Sequence, residues 1–137
     1  MDFLTVSAAN ILQENIMVRH SANPGEQLER DTLRFLCSIL IQPKTRMELI
    51  GLLDGSQFVD PIHRVIFEEI RMVGPVPSRA LRELLPARVV NRGFADFDLK
   101  EFLGPTSASE SEVEELYISV LEMIELRHRD NGQELKN

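Results

Sequence analysis

Cysteine is all but absent from this chain. Cys37 stands alone, which excludes an internal disulfide and any zinc site built on paired thiolates. It lies in an apolar helical run, where a buried thiol is the expectation, and such usage fits a reducing cytosol. Positive charge is in deficit too: 15 Lys and Arg against 22 Asp and Glu leave a net charge of −7. A general nucleic-acid coat protein neutralises phosphates with a clustered cationic excess, so any basic surface here has to be local. No apolar run approaches the roughly 18 to 20 residues of a membrane span. The first residues, with Asp2 and no early Lys or Arg, do not read as a signal peptide, and a cytoplasmic protein without membrane contact is expected.

Motifs that carry chemistry are missing as well. There is no glycine-rich phosphate loop ending in Lys-Ser/Thr and no Gly-x-Ser-x-Gly elbow. His20, His63 and His128 fall in different segments, and no two share metal-ligand spacing. The sequence therefore predicts no catalysis, no metal and no cofactor. Nor does any stretch sustain the alternating β-branched pattern of a strand.

What the chain does contain is helical periodicity. A length of 137 residues with 43% hydrophobic side chains suffices for one domain with a real core. The clearest helix runs from Pro61 to Val73, where Asp60 is a good N-cap and Pro61 fits the first helical position, at which no N–H is needed. Gly74-Pro75 closes it. Ile62, Val65, Ile66, Ile70 and Val73 recur on one face, and Phe67 and Met72 widen the stripe, so this helix is expected at the centre of a bundle.

Either side of it the reading is similar. Leu4, Ala8, Ile11 and Leu12 suggest a short amphipathic helix with Ser7 as a cap, followed by a turn-forming linker from His20 to Gly25. Glu29 to Ile41 reads as a largely buried helix with Leu33, Leu36, Cys37 and Leu40 on one face and Pro43 as its stop. Arg46 to Leu53 gives a shorter helix closed by Asp54-Gly55, with the glycine in the left-handed conformation. Ser78 caps a helix carrying Leu81, Leu84 and Leu85, which Pro86 is expected to end or restart. Asp96 or Asp98 caps a short helix that presents Leu99, Phe102 and Leu103 to the core. The last helix is the longest. Ser109 and Glu112 form a capping box, Glu110, Glu114 and Glu115 complement its positive start, and Arg127, His128 and Arg129 its negative end. Val113, Leu116, Tyr117, Val120 and Ile124 make its core stripe. Ile118, Leu121, Met123 and Leu126 fall outside that stripe and are the candidate protein interface. The expected fold is all-α, a compact multi-helix bundle with a long C-terminal helix, in which residues 1–27 form an extension and 28–137 the domain.

Two polar features invite a functional reading. As the third residue of its helix, His63 is placed to hydrogen-bond the Asp60 carboxylate or a loop carbonyl, a structural role that outweighs a catalytic one. Arg79, Arg82, Arg88 and Arg92, opposed only by Glu83, form a local basic run that could touch phosphate or an acidic partner. A solvated face on an acidic protein is the favoured account of that run.

Phe58, Asp60, Pro61, His63, Ile66, Phe67 and Ile70 together contain a spaced motif, Phe-x-x-Pro-x-His-x-x-Ile-Phe-x-x-Ile. It resembles the run found in the N-terminal domain of DnaB-type replicative helicases. Glu29 with Leu33, Leu36 and Leu40 is similar to that family's opening helix, and Val76 with Leu81 and Leu84 to its following short helix. Gly93-Phe94-Ala95 with Leu99 and Leu103, and Tyr117 to Arg129, resemble its later segments, so the likeness covers residues 28 to 129. It implies a helical collar domain that dimerises through a C-terminal helical hairpin and takes part in primase binding. Pro77 and residues 1–27 depart from the pattern, and the second hairpin arm and the motor domain are expected to be absent beyond Asn137. The helicase-binding C-terminal domain of bacterial primase shares this helical plan. The expected function is a non-catalytic protein-interaction module of DNA replication that binds primase or replicative helicase, self-associates as a homodimer, or both, and meets DNA only indirectly. The alternatives are a primase-type helicase binder and a small nucleic-acid-binding protein using Arg79 to Arg92.

Overall fold

Three prolines open helices in this chain. The ring fixes φ near the helical value, and the missing N–H is one that a first turn leaves unpaired in any case. A computed structural model describes residues 24–105 and 109–136; the expected helix within residues 1–19 lies outside them. Helices α1 (Pro24–Leu36), α2 (Pro43–Gly51) and α3 (Pro61–Val73) each begin on proline. They are followed by α4 (Ser78–Asn91), α5 (Leu99–Leu103) and α6 (Glu110–Lys136), with a 3-10 turn at Gly55–Gln57. Among the described residues there is no strand, and the fold is all-α with a long C-terminal helix.

The proline signals were placed on the wrong helices at two points. Pro24 lies in the expected linker but starts α1, and Pro43, expected to stop that helix, starts α2. In between, α1 ends at Leu36 because the Ser38 hydroxyl accepts from Leu40 N at 3.2 Å, offering the backbone a turn in place of another helical bond. Leu40, expected in the core, is consequently exposed. Asp54-Gly55 also corrects the sequence reading, since Gly55 has no positive φ. Asp54 accepts from Ser56 N at 3.1 Å and Gln57 Oε1 from Asp54 N at 2.9 Å, so the pair opens a capped 3-10 turn. Pro86 neither ends nor restarts α4, which runs on past it. The helix loses one backbone donor there, and Leu85 and Val89, both buried on the inner face, hold the two halves together.

Helix α3 behaves as its ends predict. Asp60 accepts from Ile62 N at 3.0 Å, and Gly74, with φ 84°, closes the helix in a region that a side chain rarely adopts. Ile66, Phe67 and Ile70 are fully buried. Phe58, just upstream of the helix, stacks on Phe67 with ring centroids 4.8 Å apart.

Helix α6 packs chiefly along α1. Its first turn is capped by Ser109, whose hydroxyl accepts from Glu112 N at 3.3 Å. Leu116, Val120 and Met123 are its buried residues on the apolar seam, and Tyr117 tilts against Phe35 at 5.2 Å between centroids. A buried polar contact sets the register, with Ser119 Oγ donating to Asp31 Oδ2 at 3.4 Å. Further along, Arg127 Nη1 donates to Leu53 O at 2.9 Å, satisfying a carbonyl left over after α2.

Candidate functional site

The spaced motif around α3 faces inward. Phe58, His63, Ile66, Phe67 and Ile70 are all buried, while Asp60 and Pro61 form the start of the helix. Among the described residues, His63 bonds neither Asp60 nor a loop carbonyl. Its partner is Glu29 on α1, whose Oε1 lies 2.9 Å from His63 Nδ1. The same carboxylate accepts from Val59 N at 3.0 Å and Asp60 N at 3.2 Å. An ionised Glu29 carboxylate can only accept, and opposite it Nδ1 is the nitrogen that has to carry the proton. With His63 only 3% exposed and its ring against Phe102, the imidazole ties α1 to the start of α3 and is sealed from any substrate.

Sequence reasoning placed Glu29 at the start of a buried helix but did not pair it with His63, although a signal was available. Glu29, Leu33 and Leu36 share one helical face, and a carboxylate on an apolar stripe must find buried donors. Arg46 was missed for the same reason. It is fully buried, with Nη1 donating to Ser78 Oγ at 3.1 Å and Nη2 to Gly74 O at 3.4 Å and to Val76 O. Ser78 in turn donates to Ile41 O at 3.1 Å. Burial holds the Arg46 pKa below its ordinary value, and no carboxylate among the described residues pairs with it. The guanidinium thus clamps the loop from α3 to α4.

The basic run on α4 divides by function. Arg88 Nε donates to Glu69 Oε1 at 2.6 Å, and Arg92 donates to both Glu69 Oε2 and Glu68 Oε1 at 2.8 Å. Burial pushes the Glu69 pKa up, but the hydrogen bonds from Arg92 and Arg88 outweigh it and hold the carboxyl below its usual range. Arg82 donates from Nε to Cys37 O at 2.7 Å and from Nη1 to Gly104 O at 3.2 Å, which caps the end of α1 and fixes the turn after α5. Only Arg79 of the four is without a partner among the described residues; Arg79 and Arg92 are exposed, as the reading of a solvated face expects, while Arg82 and Arg88 are half-buried and tied to the body.

Two surfaces are left. Between α4 and α5 lies a cleft of about 590 Å³, floored by Pro86, Leu99 and Leu103 and flanked by Arg79, Arg82 and Lys100. The second is on α6, where Leu121, opposite the core seam, is 44% exposed, Leu126, at the seam's edge, is 37% exposed, and Ile118 is half-buried. Met123, expected with them, is 2% exposed and belongs to the core, because the seam on α1 is wider than the stripe drawn from Val113 to Ile124. Its carbonyl also accepts from Gln57 Nε2 at 2.6 Å, tying α6 to the 3-10 turn.

No protein family, curated protein or solved structure matches the chain. Among the described residues, no three His, Cys, Asp or Glu side chains are grouped so that they could hold a metal ion, and no helix is long and apolar enough to cross a membrane.

Proposed function

We propose that this protein is a non-catalytic interaction module of the DNA-replication apparatus, binding a primase or a replicative helicase in the cytoplasm and associating with itself, with the outer side of α6 as its surface. One observation carries the reading. Leu116, Val120 and Met123 already anchor α6 to the body, yet Leu121 and Leu126 stay exposed on the same helix. Exposed leucines on a helix whose seam is already packed are free for a partner to cover. The likeness to the DnaB N-terminal domain supplies the class of partner. DNA is reached through that partner, since Arg88 and Arg92 are engaged by Glu69 and Glu68 and offer little to phosphate.

The test is light scattering, with capture of purified primase and helicase, on the parent and on Leu121→Glu with Leu126→Glu. The double variant should lose association while keeping its melting temperature. A variant that binds and associates like the parent would remove α6 from the interface.

A further inference from the structure

The two surfaces complement each other. On a helical wheel of 100° per residue, the side of α6 opposite its core seam carries Leu121 with Glu114 and Glu125, with Glu122 and Glu115 at its margin and Arg129 as the one opposing cation, while Leu126, five residues on from Leu121, falls beside the seam. The cleft between α4 and α5 is the reverse: an apolar floor with Arg79, Arg82 and Lys100 around it and Glu83 as the one acid. In a chain of net charge −7, a concentration of cations at an apolar groove is a local exception. Arg79 and Lys100 have no partner among the described residues, and Arg82 uses only Nε and Nη1, leaving Nη2 to donate.

We propose that the α4/α5 cleft of one copy receives the acidic, leucine-bearing outer side of α6 from a second copy. The inference rests on the reading of α6 as a binding surface and goes further, because it names the receiving site. A cleft of about 590 Å³ is in the size range that accepts anchoring side chains, and Leu121 is the anchor that the acids flank. Glu122 and Glu125 then face Arg79 and Lys100. Cleft and helix are different patches, so the contact is heterologous: each copy keeps one free cleft and one free helix, and assembly continues head to tail into a ring or a filament.

That geometry has a signature no two-fold dimer shares. One variant, Arg79→Glu with Lys100→Glu, disables only the cleft; another, Glu122→Lys with Glu125→Lys, disables only the helix. Each alone should be monomeric by sedimentation at a concentration where the parent associates. Mixed, they should form a one-to-one dimer that grows no further, since the intact helix of the first fits the intact cleft of the second. Equal circular-dichroism melts would establish that both variants fold. If the cleft variant associates like the parent, this proposal fails while the α6 reading stands as a two-fold dimer. The α6 reading survives that outcome only if the helix variant is monomeric; if the helix variant associates as well, both fail. A parent that is monomeric at millimolar concentration overturns the proposal.

Discussion

Glu29 and His63 are 34 residues apart in sequence and meet at 2.9 Å across the contact between α1 and α3. The carboxylate does more than the imidazole, for it also accepts the N–H groups of Val59 and Asp60 at the start of α3. Removing it strands the buried His63 ring and two part-buried backbone N–H groups, whereas removing His63 strands one acceptor position. Glu29→Ala should therefore destabilise by about 3 kcal/mol and His63→Ala by about 1 to 2 kcal/mol. Urea melts of the two variants decide it, and a larger cost for His63→Ala would contradict the assignment of Glu29 as the hub.

How much of this was legible in the sequence depends on the range of the interaction. The ends of α3 could be read because Asp60, Pro61 and Gly74 act on backbone within a few residues of themselves. The Asp98 cap of α5 was narrowed to two candidates for the same reason, and Asp98 accepts from Glu101 N at 3.1 Å. Pro43 and Pro24 were ambiguous because proline both follows helices and starts them, and only the Ser38 turn decides between the two. Glu29, Arg46 and Arg82 act on groups far along the chain, so no local pattern reveals their partners. What periodicity does show is that Arg46 shares a stripe with Leu49, Ile50 and Leu53, which marks it as a buried charge before any partner is known.

Phe67 is fully buried and stacked on Phe58, with which it forms the middle of the core. Phe67→Ala should cost about 3 to 5 kcal/mol, since a cavity of that size inside close-packed helices does not collapse. Combining it with Phe58→Ala should be non-additive by about 0.5 to 1.5 kcal/mol, the coupling expected of a ring pair. A Phe67→Ala melt within half a kcal/mol of the parent, judged against typical domain stability, would show that α3 is not the core helix.

The Glu69 carboxyl sits between Arg88 and Arg92, and its folded pKa is lowered from the ordinary 4.5 by those hydrogen bonds against the opposing effect of burial. A depressed folded pKa means that the stabilisation is present above the unfolded value and is lost as pH falls through the folded one. Stability of the parent should thus drop as the pH is lowered below about 4.5, and Glu69→Gln should flatten that part of the curve. Salt should weaken the effect, because the two arginine side chains are 37% and 39% exposed. Thermal melts from pH 7 to pH 3 that superimpose after normalisation would rule it out.

Arg46 poses the sharpest energetic question, for it is a fully buried cation whose partners are carbonyls and a hydroxyl. Lysine could not replace it: the planar fork reaches Ser78, Gly74 and Val76 together, while an ammonium on a flexible stem would concentrate its charge at one of them. Arg46→Ala combines a cavity with unpaired acceptors at Gly74 and Val76 and should destabilise by about 3 to 5 kcal/mol. Arg46→Met should recover about half of that loss, because it refills the space and removes the buried charge. Cys37 supplies a probe of the same region. Its thiol is fully buried, with its pKa pushed up to about 12 by burial against the smaller opposing fields of Arg82 and Arg46. In the folded parent a maleimide should label it only through opening of the structure, and Arg46→Ala should speed labelling in proportion to the stability lost. Rapid labelling of the parent would mean that the turn after α1 opens by itself, and an unchanged rate in Arg46→Ala would mean that the guanidinium does not hold the loop from α3 to α4.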